Sequence, residues 1–220
     1  MLDGGVQVDY PMNDVSSEHR VTTAEQLESL YGEIPRKSIV KEIDYISDHY
    51  RAFIEKSPFV VIGTSGPHGV DCSPRGDPPG FVRVQDEKTL MVPDRRGNNR
   101  VDSMHNLVHD PRISLLFLIP GVGETLRVSG RAAIVTDPEL CASFKMQGKI
   151  PASVLIVTAE RVYYQCQKAL VRSRLWSTEA QIERSELPSP GQILEALSNK
   201  EIDGAEFDRT YPEHLKESIY

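Results

Sequence analysis

From Phe59 onward the apolar residues of this chain stop recurring at helical spacing and fall into short β-branched or alternating runs. Residues 59–64, 70–73, 81–84, 89–92, 112–119, 124–135 and 153–166 each read as a strand, and Gly, Pro, Asn or Asp bounds most of them. Few helical stretches intervene, so βαβ alternation is absent. About seven strands joined by short turns predict an antiparallel sheet that closes into a small barrel. Gly130 interrupts the longest run and is a candidate bulge. The run RISLLFLI at 112–119 is apolar on both faces, which predicts cover from a partner chain as well as from its own core.

The helices lie mostly upstream. Thr22 and Glu25 have capping-box spacing for a helix that ends at Gly32. After Pro35, the stripe Ile39, Ile43, Ile46, Tyr50, Phe53 and Ile54 predicts one longer helix closed by Pro58. Val101, Met104, Leu107 and Val108 predict another, Asp137-Pro138-Glu139 opens a third, and Ser189-Pro190-Gly191-Gln192 a fourth. Residues 1–20 are polar without periodicity and read as an arm. Residues 177–220 carry ten acids against four bases and read as an acidic helical arm.

Composition excludes several classes. No apolar run approaches the ~20 residues that span a bilayer, and the first residues lack the basic and apolar segments of a secretory signal. Three cysteines without a CxxC pair argue against a disulfide framework or structural zinc and fit a reducing cytosol. A net charge of −7 argues against general nucleic-acid binding.

Against that acidic background, residues 73–100 hold six Arg or Lys and four Asp or Glu, a local excess of two positive charges. Two Gly-containing loops at one end of a hairpin make up most of it: Ser73-Pro74-Arg75-Gly76-Asp77-Pro78-Pro79-Gly80 and Pro93-Asp94-Arg95-Arg96-Gly97-Asn98-Asn99-Arg100. A basic island in which Gly lets backbone N–H groups approach suits a phosphate. Loops are also rich in Gly and Arg simply because they are solvated, and spacing does not choose between the two. A second island, Arg161, Lys168, Arg172 and Arg174, contains no acid and ends at Trp176. That indole suits either a wall for a planar ring or ordinary core packing. Gly121-Val122-Gly123 lacks the third glycine and the following helix of a dinucleotide turn. His105 and His109 read as a surface pair rather than metal ligands, and Cys72 as a buried inert thiol.

SPRGDPPGFV, DRRGNNR, DPRISLLFLIPGVGETLRV and KALVRSRLW together make residues 59–176 resemble the FMN-binding split β-barrel family, the pyridoxamine 5′-phosphate oxidase-like flavoproteins. The resemblance implies a mainly β, α+β fold: an arm over 1–20, helices over 21–57, a split-barrel FMN-binding domain over 58–176 and the acidic arm over 177–220. It implies FMN held by Ser73, Arg75 or Asp77, by Pro93, Asp94, Asn98, Asn99 and Arg100, and by Thr125. It further implies a homodimer, in the cytoplasmic setting that the cysteines suggest, in which Trp176 with Arg172 or Arg174, from the island that includes Lys168, reaches the partner's site. The oxidase itself has Ser-Arg-Lys where this chain has Asn98-Asn99-Arg100, and its Arg-Leu-His run has no counterpart here. The expected function is therefore an FMN-dependent oxidoreductase whose substrate is open. A flavin carrier or redox sensor, or a deazaflavin or haem protein, is the alternative.

Overall fold

The computed structural model describes residues 19–67 and 69–220. The chain forms two compact units, 1–40 and 41–220. The arm expected over 1–20 lies almost wholly outside the described residues.

In the first unit, α1 (Ala24–Tyr31) ends at Gly32, whose φ of 70° only glycine adopts without strain. The capping box sits one residue later than the spacing suggests. Thr23 accepts from the Gln26 amide, and the Gln26 side chain accepts from the Thr23 amide. Gln serves at this position as Glu does, so Thr22-Thr23 offers two registers and the second is used. A short α2 (Arg36–Val40) follows.

The single helix expected between Pro35 and Pro58 does not form. Ile43 pairs with Val162 as an isolated antiparallel bridge, with N–H···O distances of 3.0 and 2.7 Å. The helix restarts as α3 (Asp48–Lys56), where the Ser47 hydroxyl accepts from the Tyr50 amide. Ile46, Tyr50 and Ile54 still enter the core, whereas Ile39 is exposed. Tertiary pairing at Ile43 and the cap at Ser47 outweigh the periodic stripe.

The sheet comprises β1 (Phe59–Gly66), β2 (Gly69–Gly76), β3 (Arg83–Val84), β4 (Thr89–Asp94), β5 (Arg112–Leu118), β6 (Thr125–Val135) and β7 (Ser153–Gln165). The order is β2-β1-β5-β6-β7-β4-β3, and every pairing is antiparallel. Residues 73–76, expected as loop, extend β2. Val60, Ile62, Leu90, Val92, Leu115, Phe117, Leu126, Val128, Val157 and Val162 meet in one core with Ile54. Each fully buried aliphatic side chain contributes about 1.5–3 kcal/mol.

The ladder leaves β2 and β3 at its ends, so strand pairing does not close a barrel among the described residues. The sheet nonetheless curls. β2 and β4 are separated by four strands, which in a flat sheet is about 24 Å. Yet Arg75 meets Asp94 at 3.4 Å, and Arg95 meets Asp77 at 2.8 Å.

Gly130 sits where expected, at a register shift in the β6–β7 ladder: Ser129 faces Arg161 and Gly130 faces Ala159, leaving Glu160 as the extra residue on β7. The continuous apolar strand β5 buries Ile113, Leu115 and Phe117 and leaves Leu116 and Leu118 half-buried on the other face.

α4 (Asp102–His109) packs on β1 so closely that a Cβ at Gly66 would lie 2.3 Å from the Asn106 side chain. The helix is rotated from its apolar stripe. Ser103 and Asn106 are buried with Met104 and Leu107, while Val101 and Val108 are exposed. Asn106 turns inward because Thr64 accepts its amide at 3.2 Å. α5 (Pro138–Ser143) and α6 (Lys168–Ser173) follow. The acidic arm holds α7 (Pro190–Leu197), capped by Ser189, and α8 (Gly204–Ser218). No helix of the described residues is long and apolar enough to cross a membrane.

Candidate functional site

Beside the ion pairs of Arg75 with Asp94 and Arg95 with Asp77 lies a cleft of about 570 Å³ between the end of β2, the segment after β4 and the start of α4. Asp71, Ser73 and Arg75 lie two residues apart on β2 and share one face, each half-buried. Opposite them, the chain leaves β4 at Asp94 and reaches α4 in seven residues. That short span is bridged with two left-handed residues, Asn99 at φ 60° and Val101 at φ 50°. A β-branched residue in this region costs on the order of 1–3 kcal/mol, so the surrounding contacts must hold it. The Asn98 side-chain oxygen accepts from the Arg100 amide at 3.1 Å and shapes the bend. Val101 occupies the N-cap position and has no side-chain acceptor, so no side chain caps α4. The first-turn N–H groups of such a helix favour an anion.

Two carboxylates, Asp71 beside the cleft and Asp94 in its lining, titrate away from their ordinary range. Asp71 is lowered, chiefly by the hydroxyl of buried Ser103, which donates to it at 2.5 Å, and further by Ser73 at 2.7 Å. This contact ties α4 to β2. Asp94 is raised by burial, with Arg75 pulling the other way. Because Asp71's folded value lies below its unfolded one, the unfolded chain binds more protons between the two. The stabilisation is complete above the ordinary carboxylate value of about 4 and is lost as pH falls through the folded value. Asp71→Asn is expected to flatten that acid limb. Urea midpoints measured from about pH 3 to 5 should fall less steeply in the variant than in the wild type, and parallel slopes would contradict the assignment.

Of the residues singled out in the sequence, Ser73, Arg75, Asp94, Asn98, Asn99 and Arg100 line the cleft together. The Asp77 side chain lies behind it, fully buried, and Pro93 is buried in β4. Thr125 is buried at the start of β6, paired with Gln165. Lys168, Arg172, Arg174 and Trp176 do not line the cleft of their own chain. Arg174 pairs with Glu179, and the Trp176 indole donates to the Val122 carbonyl at 2.8 Å while remaining 37% exposed. Cys72, expected to be buried, is exposed on the edge strand.

Arg95, Arg96, Asp102, Ser103, Ile150 and Ala152 also line the cleft. The two arginines stand inside the basic run and were legible from it. Ser103 is placed by α4 docking on β2, and Ile150 and Ala152 by the chain's approach to β7, which no local motif signals. Four arginines and two aspartates give the lining an excess of two positive charges.

The family model described as pyridoxamine 5′-phosphate oxidase matches residues 46–166, more than half of the chain. No curated protein matches it in sequence. Among solved structures it is similar to tagged HupZ from Group A Streptococcus, at 18% identity over 55% of this chain and 94% of that one, TM-score 0.45. It is also similar to a Clostridium acetobutylicum protein related to general stress protein 26 of B. subtilis, at 19% identity over 60% and 91%, TM-score 0.43. A third is the FAD binding protein from Mycobacterium smegmatis, at 13% identity over 56% and 97%, TM-score 0.39.

Proposed function

This chain belongs to the pyridoxamine 5′-phosphate oxidase family, and on that premise we propose that its arginine-rich cleft holds the phosphate of FMN and that the protein is an FMN-dependent oxidoreductase. The observation that carries the proposal is the concentration of cationic donors around an uncapped helix start in a chain of net charge −7. The donor set fits the group. Arg75, Arg96 and Arg100 supply charge-assisted hydrogen bonds, Asn99 an amide, and α4 its first N–H groups. The two aspartates of the lining are each matched by an arginine, Asp94 by Arg75 and Asp102 by Arg100. A volume of about 570 Å³ lies within the range of small-molecule sites. When bound, the flavin supplies hydride or electron transfer. The protein's part is to anchor the phosphate, hold the ring and exclude water from it.

The curl of the sheet is read as the family's split barrel. The second basic island is read as serving a partner's cleft across a two-fold interface, since Lys168, Arg172, Arg174 and Trp176 leave their own cleft untouched.

Titration with FMN and with riboflavin tests the proposal. FMN is expected to bind at least about tenfold tighter, the size of one charge-assisted contact. Equal affinities would remove the phosphate anchor. Bleaching of the bound flavin by a reduced nicotinamide, followed by reoxidation with turnover, separates enzyme from carrier. A single-chain mass for the flavin-loaded protein in sedimentation would remove the shared site.

A further inference from the structure

Arg95 is the most constrained arginine of the cleft. Its Nε donates to Asp77 Oδ2 at 2.8 Å, its Nη1 donates to the Phe144 carbonyl at 2.6 Å, and its guanidinium lies 5.7 Å from the centre of the Tyr220 ring. The side chain is only 14% exposed, and among the described residues Nη2 has no acceptor. Asp77 is fully buried, so both of its oxygens need partners. The second partner is Tyr220, beyond the end of α8, whose hydroxyl donates to Asp77 Oδ1 at 2.7 Å. Asp77 in turn holds the Tyr220 phenol above its ordinary range, so the donor keeps its proton.

The pairing could have been different. An arginine beside a carboxylate favours the two-bond fork, in which Nε and Nη2 each take one oxygen. Here the Tyr220 hydroxyl competes for the second oxygen, and Arg95 gives Asp77 a single N–H, with Nη2 unpaired among the described residues. We propose that Arg95 is an additional anion-binding residue of the cleft and that Tyr220 is its positioning residue, competing with Nη2 for Asp77 Oδ1 and thereby leaving Nη2 for the ligand. The inference rests on the flavin reading only for the identity of the anion.

Tyr220→Phe keeps the ring and removes the hydroxyl. Asp77 then closes the fork on Arg95, and the ligand loses a donor without the protein losing a buried partner. The experiment is a double-mutant cycle in the full-length chain: wild type, Tyr220→Phe, Arg95→Gln and both together, each titrated calorimetrically with FMN and with inorganic phosphate. Tyr220→Phe is expected to weaken both ligands about tenfold with an unchanged thermal midpoint. In the Arg95→Gln background the same substitution is expected to have no further effect, because the residue it acts through is gone. Unchanged affinity in Tyr220→Phe, or an equal loss in both backgrounds, overturns the positioning role and leaves the flavin reading standing. Wild-type protein that binds phosphate but not FMN overturns the flavin reading, and the cycle is then judged on phosphate. Wild-type protein that binds neither overturns both.

Discussion

Arg75→Ala combined with Arg100→Ala is expected to weaken FMN binding by about 2–4 kcal/mol, roughly 30- to 1,000-fold in the dissociation constant. Each charge-assisted hydrogen bond to a phosphate contributes about 1.5–3 kcal/mol. The two do not share the loss equally. Arg100 is 73% exposed and Arg75 25%, so solvent and salt screen the first far more than the second. Arg75→Ala alone is expected to carry most of the effect, and wild-type affinity is expected to fall only modestly at high salt. Riboflavin, lacking the phosphate, should be insensitive to both substitutions. The Arg75 change has a second consequence: Asp94 loses the cation that opposes its burial, so its carboxyl rises further. Fluorescence titration of the double variant measures the loss directly. An unchanged dissociation constant for FMN would show that the ligand phosphate is bound elsewhere.

Gly130→Val is expected to destabilise the protein by about 3 kcal/mol, near the upper end of what overpacking costs. A Cβ at this position would lie 1.9 Å from the Thr158 carbonyl oxygen and 2.9 Å from its carbon. Both are backbone atoms of the neighbouring strand, so no side-chain rotation relieves the clash. β6 and β7 would have to separate at the bulge, beside the buried Val128, Val157 and Val162. For a chain of this size the loss corresponds to a fall in thermal midpoint of about 6–12 °C. Differential scanning calorimetry of the variant decides the point. A midpoint within a degree of the wild type would mean that the bulge relaxes without breaking the ladder. Because Gly130 lies outside the cleft, FMN affinity of the folded fraction is expected to be unchanged.

How much of this was legible in the chain differs by feature. Strand positions were, since period-two runs bounded by turn residues depend on local chemistry: β1, β5, β6 and β7 fall within about two residues of their sequence limits. The antiparallel arrangement followed from the absence of crossover helices, and the bulge from a glycine inside an otherwise strong strand. The cations of the cleft were also visible, because Arg75, Arg95, Arg96 and Arg100 cluster in an otherwise acidic sequence. Decisions that pit a local signal against a distant partner were not. The stripe through Ile43 and Ile46 is helical by spacing, yet Ile43 pairs with Val162, over a hundred residues away. Val108 fits the helical stripe of α4, yet Ser103 and Asn106 take the buried face because Asp71 and Thr64 offer them partners on β2 and β1. The curl that sets Arg75 against Asp94 and Arg95 against Asp77 is a property of seven strands twisting around one core, and no segment carries it. Nor does the sequence near Tyr220 announce its hydrogen bond to Asp77, 143 positions away. Strands, turns and the cationic residues available for a phosphate are readable along the chain, because they depend on each residue and its near neighbours. Which cations share a cleft, and which of their donors remain free, is set by long-range packing, because burial forces each polar group to find a partner wherever in the chain the fold has placed one.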